Sequence, residues 1–174
     1  MNADAFAALL LELAPTREDL ARGGVDEEGE VEGILACFRR LRREPSATPQ
    51  APRSDDELVR LVTVYDCSRV AVLGVGFDGR AQLEARGIRV AGWEADPIVV
   101  RPDGTVAVFE HDTPTAFLCG AQTGARFLDA LAFALQSMMA SNRRGEQGWR
   151  TEPLAERCAE LAGWRESVRF WSCV

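Results

Sequence analysis

Few residue types in this chain could do chemistry, and one spacing stands out among them. Gly74, Gly76 and Gly79 fit G-x-G-x-x-G after a strand-like run at 70–73, and Glu94 and Asp96 follow at about the distance from which an acid reaches a ribose hydroxyl. In a dinucleotide site such glycines let a pyrophosphate approach the backbone at a helix N-terminus. That arrangement needs a crossover helix long enough to return the chain to a parallel strand. Only residues 80–85 lie between Gly79 and the next break at Arg86-Gly87, and six residues rise about 9 Å, under two turns. The expectation is therefore a β-hairpin turning at Asp78-Gly79. A nucleotide-binding enzyme or sensor using Gly74, Gly76, Gly79 and Glu94 is the alternative.

The remaining candidates are single residues. The chain has one His (His111), one Tyr (Tyr65) and no Lys, so a His-based triad, a two-His metal site and Schiff-base chemistry all lack parts. His111 beside Asp112 closes a strand and reads as a hydrogen-bonded structural residue. Glu94 and Asp96 have the i, i+2 spacing that puts both on one strand face, but glycoside chemistry would need that pair in a cleft. Cys37, Cys67, Cys119, Cys158 and Cys173 are odd in number and form no C-x-x-C pair. That argues against a disulfide framework and a zinc knuckle and for reduced, mostly buried thiols. The set implies no catalytic residue, no metal and no cofactor.

The elements that must position these residues follow from composition and period. The chain has 174 residues, 47% of them hydrophobic and 27% charged, which suits one soluble domain with one core. Its 20 basic and 27 acidic side chains leave a net charge of −7. The acidic balance argues against a nucleic-acid binder, which needs a basic face, and favours a basic protein partner. All 20 basic residues are Arg, read as the coding bias of a GC-rich, bacterial genome. The apolar stretch at 6–11 follows Asp4 instead of a basic region, and no stretch reaches the roughly 18 apolar residues of a membrane span. A cytoplasmic protein without membrane contact is expected; the composition is silent on oligomeric state.

Residues 4–13 favour helix, broken by Pro15 and Gly23-Gly24. Val31, Ile34, Leu35, Phe38 and Leu41 recur at helical spacing, with Glu27, Glu28, Glu30 and Glu32 in front and Arg39, Arg40, Arg42 and Arg43 behind. The helix dipole accounts for that charge order without a phosphate or RNA ligand. Residues 44–53, with three prolines, read as a surface loop. Ser54 to Glu57 reads as a capping box before a short helix carrying Leu58, Leu61, Val62 and Tyr65. Period-two runs follow at 70–77, 88–93, 97–101 and 105–110, with a hairpin signal at Pro102-Asp103-Gly104 and a short edge strand at 117–119. The longest helix is expected over 124–141, with Phe127, Leu128, Leu131, Leu135, Met138 and Met139 on one side. Residues 142–174 form an extension. Past the polar stretch 142–148 it has a helix with Pro153 in its first turn, Leu154, Cys158 and Leu161 facing inward and Gly163 at its end, and 168–174 can form a final strand. The order, helices then an antiparallel meander then helices, is that of an α+β domain spanning 1–174.

One family resemblance rests on short runs: Gly92-Trp93-Glu94-Ala95-Asp96-Pro97-Ile98-Val99-Val100, Pro102-Asp103-Gly104-Thr105-Val106, Glu110-His111-Asp112 and Ala125-Arg126-Phe127-Leu128-Asp129-Ala130-Leu131. This stretch resembles the SUKH superfamily, the SMI1/KNR4-like proteins, over roughly residues 69–139. The resemblance implies an α+β fold around an antiparallel sheet. It also implies the role of many bacterial members, cytoplasmic immunity proteins that bind and neutralise polymorphic toxins; no catalytic residue carries over. Toxins acting on nucleic acid tend to be basic, and an acidic surface can both steer and occupy them. The acidic residues flanking the meander, Glu94, Asp96, Glu110 and Asp112, are the candidates to receive such a partner.

Overall fold

A computed structural model describes residues 1–22, 24–25, 27–39, 41, 54–113, 115–144 and 151–174. The proline-rich segment 44–53, Arg40, Arg42, Arg43 and residues 145–148 of the polar stretch lie outside the described residues. The chain runs α1 (Ala3–Glu12), α2 (Arg17–Arg22), α3 (Glu28–Arg39), α4 (Glu57–Val64), then β1 (Ala71–Val72), β2 (Val75–Glu84), β3 (Gly87–Trp93), β4 (Asp96–Val100), β5 (Val106–Phe109) and β6 (Ala116–Ala121), and closes with α5 (Gly124–Arg143), α6 (Glu152–Ala162), a 3₁₀ turn (Arg165–Ser167) and α7 (Val168–Trp171). The six strands pair in sequence order, every pair antiparallel. The fold is α+β, a meander flanked by N-terminal and C-terminal helices.

Helices α1, α4 and α5 cover one face of the sheet. Phe6 and Leu10 of α1, Leu58, Leu61 and Val62 of α4, and Phe127, Leu128 and Leu131 of α5 are fully buried against Val75, Val90, Ile98, Val106 and Val108. The other face carries a second small cluster, Val99, Ala107 and Phe109, with the Arg86 guanidinium 4.7 Å above the Phe109 ring. Strands β4 and β5 are thus buried on both sides, which is why 98–100 and 106–109 read as continuous apolar runs instead of alternating.

The helix layer is anchored where three helix N-termini meet two adjacent carboxylates. Asp56 caps α4, its Oδ1 accepting from the Leu58 and Val59 amides at 2.9 and 3.3 Å, while its Oδ2 accepts from the Gly124 amide of α5 at 2.9 Å. Next to it, Glu57 Oε2 accepts from the Ala3 amide of α1 at 2.8 Å. Free N–H groups and the positive end of each dipole are met by negative charge. The cap is therefore Asp56, two residues later than the expected Ser54; Ser54 Oγ instead accepts from the Asp56 amide, and Glu57 faces another helix instead of closing a capping box. Helix α2, unread in the sequence, is bound to α3 through Arg17, which pairs with Glu28 at 3.0 Å and with Glu32.

Three further expectations are corrected. The 70–77 run is broken at Leu73-Gly74, where both residues have positive φ (55° and 83°) and turn β1 into β2; a two-residue hairpin with positive φ at both positions matches the sheet twist. The chain does not turn at Asp78-Gly79. It continues as β2 to Glu84, and the pairing steps from Phe77↔Ala91 to Gln82↔Arg89, so residues 78–81 bulge opposite Val90. The turn to β3 comes at Ala85-Arg86, followed by Gly87 at φ 141°, where a Cβ would stand 2.2 Å from the Val100 carbonyl oxygen. Finally, 168–174 is no strand: Val168–Trp171 is helical and the chain leaves it in a turn. Phe170 meets Trp93 edge-on at 5.9 Å and Trp171 tilts on Phe127 at 5.4 Å; a strand would send these adjacent rings to opposite faces.

Candidate functional site: an acidic rim at one end of the sheet

The antiparallel order puts the β1–β2 turn, the β3–β4 turn and the β5–β6 loop at the same end of the sheet, because Val75 pairs with Trp93, Trp93 with Asp96, and Ile98 with Val108. Glu94 sits in the two-residue β3–β4 turn with φ 55° and is exposed. Asp96 opens β4 and is half-buried. Glu94 therefore lies in the turn and Asp96 just after it, not together on one strand face, because the chain reverses at 94–95.

Asp96 reaches across to the loop after β5. Its Oδ1 accepts from the backbone N–H of His111 at 3.0 Å and stands 3.1 Å from His111 Nδ1. On the other side of the ring, Nε2 lies 3.0 Å from Asp112 Oδ2. Glu110 accepts from the Thr113 hydroxyl at 3.0 Å, and its carbonyl accepts from the Thr113 amide at 3.3 Å. Three of the four acidic candidates, Asp96, Glu110 and Asp112, thus gather around one imidazole, with Glu94 in the adjoining turn. The hydrogen bond that the ring donates to Asp96 raises the pKa of His111 above its ordinary 6.5, the charges of Asp112, Asp96 and Glu110 add to the rise, and desolvation opposes it.

Carboxylates engage both ring nitrogens, which leaves neither turned to a nucleophile's proton. The arrangement can present negative charge to a basic surface and exchange one proton. The sequence reads His111 as closing a strand; it stands instead in the loop, two residues past the end of β5 at Phe109. Its tie to Asp96, fifteen residues earlier, depends on the β3–β4 and β5–β6 connections lying together, and the alternation Glu110-His111-Asp112 was its only sequence signal.

The glycine motif lies partly at this end. Gly74 is in the β1–β2 turn beside the Trp93 indole, whose Cδ1 is 3.4 Å from where a Cβ would stand; Gly76 is in β2 and Gly79 in its bulge. The chain continues from them as strand to Glu84, so no helix N-terminus follows the glycines.

Elsewhere the reactive groups are held apart. Cys37, Cys119, Cys158 and Cys173 form no disulfide, and burial pushes the Cys158 thiol up to about 12. Among the described residues no group of three or more His, Cys, Asp or Glu side chains is placed to hold a metal ion, and no helix is long and apolar enough to cross a membrane. No family model matches the chain, and comparison with curated proteins and with solved structures found no match.

Proposed function

We propose that this protein is a non-catalytic cytoplasmic binding protein of the immunity type, which neutralises a basic toxin domain by direct association. The observation that carries the reading is the convergence of Asp96, Glu110 and Asp112, from two separate connections, on one end of the sheet, in a chain of net charge −7. The resemblance of residues 69–139 to SMI1/KNR4-like proteins supports it. Opposite charge across an interface steers encounter and excludes wrong partners.

Affinity purification from the source cells, paired with a growth assay, tests it. The expected result is a basic protein partner retained in stoichiometric amount, whose expression alone arrests growth and whose co-expression with this chain restores it. Replacement of Glu94, Asp96, Glu110 and Asp112 by their amides should weaken retention. Recovery of no protein partner, with growth unaffected by the neighbouring open reading frame expressed alone, would overturn the proposal.

A further inference from the structure

A neutral imidazole carries one N–H and one lone pair; only the imidazolium carries two N–H groups. In this structure both His111 nitrogens face carboxylate oxygens, Nδ1 in a hydrogen bond of 3.1 Å with Asp96 Oδ1 and Nε2 in an ion pair 3.0 Å from Asp112 Oδ2. Asp96 is hydrogen-bonded to Nδ1, whereas Asp112 meets Nε2 as an ion pair, so the charged ring favours both carboxylates and a neutral ring protonated on Nδ1 keeps only the bond to Asp96.

The two carboxylates are not equivalent. Asp96 belongs to the first residue of β4 and also accepts the His111 backbone N–H at 3.0 Å, with a side chain only 20% exposed. Asp112 belongs to the loop itself, is 81% exposed, and has the ring as its ion-pair partner. The charges acting on the ring are Asp96 from β4 and Asp112 and Glu110 from its own loop, all acidic. A ring that loses one proton therefore keeps Nδ1–H directed at Asp96 and gives up Nε2–H.

We propose that His111 is a pH-operated latch on the loop between β5 and β6: doubly protonated, its ring holds Asp96 and Asp112 together, and loss of the Nε2 proton releases Asp112 while Asp96 stays bound. The proton goes to solvent and no other bond changes. Because the surrounding carboxylates favour the charged ring, release occurs above pH 6.5. Below the transition the loop is closed on the ring; above it Asp112 is free and the rim is one charge more negative. This inference is independent of what the rim binds, since it concerns the free protein.

His111 is the only histidine, so its ring gives one resonance set in the full chain, and a nuclear magnetic resonance titration tests the latch directly. The expected result is a midpoint above 6.5, amide shifts of Asp112 and Thr113 that follow the same midpoint, and a neutral form protonated on Nδ1 instead of the commoner Nε2. Asp112→Asn should lower the midpoint and leave the Nδ1–H tautomer in place. Asp96→Asn keeps an oxygen for the backbone N–H while removing the charge, and should lower the midpoint and abolish the preference for Nδ1–H. A midpoint at or below 6.5, a neutral ring protonated on Nε2, or loop amides that do not follow the ring would each overturn the proposal. Because Asp112 is so exposed, Asp112→Asn keeps the test open even if the Asp96 variant does not fold.

Discussion

Two carboxylate clusters stand in this molecule, and what they accept separates their roles. At the junction of α1, α4 and α5, Asp56 and Glu57 accept from four backbone amides, those of Leu58, Val59, Gly124 and Ala3. At the rim, Asp96 and Asp112 hold an imidazole that is more than half exposed. A backbone N–H does not titrate and cannot leave while its helix exists, so the first cluster is fixed by the fold. A titrating side chain can lose its charge and let go, so the second responds to conditions. Sequence position alone does not distinguish them: Asp55-Asp56-Glu57 and Glu110-His111-Asp112 are both short acidic runs.

The junction matters only as far as the helices it anchors are packed, and the largest expected effect lies in that packing. Leu131 is fully buried in the middle of α5, and Leu131→Ala should cost about 2–5 kcal/mol, the range for deleting a buried leucine side chain. Denaturant or thermal melts followed by circular dichroism measure it. A change within about 0.5 kcal/mol, the usual limit for surface substitutions, would mean that α5 does not pack as described.

Next comes the junction itself. Asp56→Ala removes the cap of α4 and the acceptor for the first amide of α5 together. With about 0.5–2 kcal/mol per cap, a loss near 2–3 kcal/mol is expected, measured by the same melts. Ser54→Ala should cost far less, because Ser54 accepts only from the Asp56 amide. Equal losses from the two would restore the Ser54 capping box and remove half of the comparison.

Gly124→Ala sharpens the point. A Cβ there would stand 2.0 Å from Asp56 Oδ1, so the carboxylate must give way, at a cost of about 1–3 kcal/mol by the usual scale of overpacking. In the Asp56→Ala background that obstacle is gone, and the same substitution should cost less than in the parent. A double-mutant cycle reads the difference as a coupling energy, and strict additivity would show that the two residues do not meet.

How much of this could be read from the sequence divides along similar lines. The strands 88–93, 97–101 and 105–110 and the long helix from Gly124 are observed within a residue or two, because Pro102-Asp103-Gly104 and the spacing of Phe127, Leu128, Leu131 and Leu135 are local signals. Leu73-Gly74 carries no local turn signal because leucine is an unusual occupant of a positive-φ turn position, whereas Asp78-Gly79 carries a strong one because Asp-Gly is a common turn pair. At 168–174 the β-branched and aromatic content favoured strand, whereas Phe170 and Trp171 must both reach the same core; tertiary packing overrode propensity. The rim residues were legible as acidic and flanking the meander. The imidazole that joins them was not, because Asp96 and His111 meet only through the order of the strands.

The rim should act on association before it acts on stability. If it receives a basic partner, the association rate should fall steeply between 0.01 M and 0.15 M salt, as the Debye length shortens from about 30 Å to about 8 Å, while dissociation changes much less. Stopped-flow mixing with the captured partner measures both rates. A salt-independent association rate would reduce the acidic surplus to a solubility feature and leave the interface to apolar contacts.

The smallest effect is the one that best separates the two clusters. The folded His111 pKa is raised above its ordinary 6.5 by Asp96 first and then by Asp112 and Glu110, so the folded state binds the proton more tightly than the unfolded chain does. The resulting stabilisation is fully present below pH 6.5 and fades as pH rises through the folded value. His111→Gln, which cannot carry the charge, should therefore melt below the parent at pH 5 to 6 and approach it above the transition, with the difference shrinking as salt is added because the ring is exposed. The deficit from Asp56→Ala should instead persist across that whole window, since no group it contacts titrates there. Melting both variants in parallel from pH 5 to 9 makes the contrast measurable. A His111→Gln deficit that does not change with pH would place the rim in the same class as the junction, as a fixed structural tie with no response to protons.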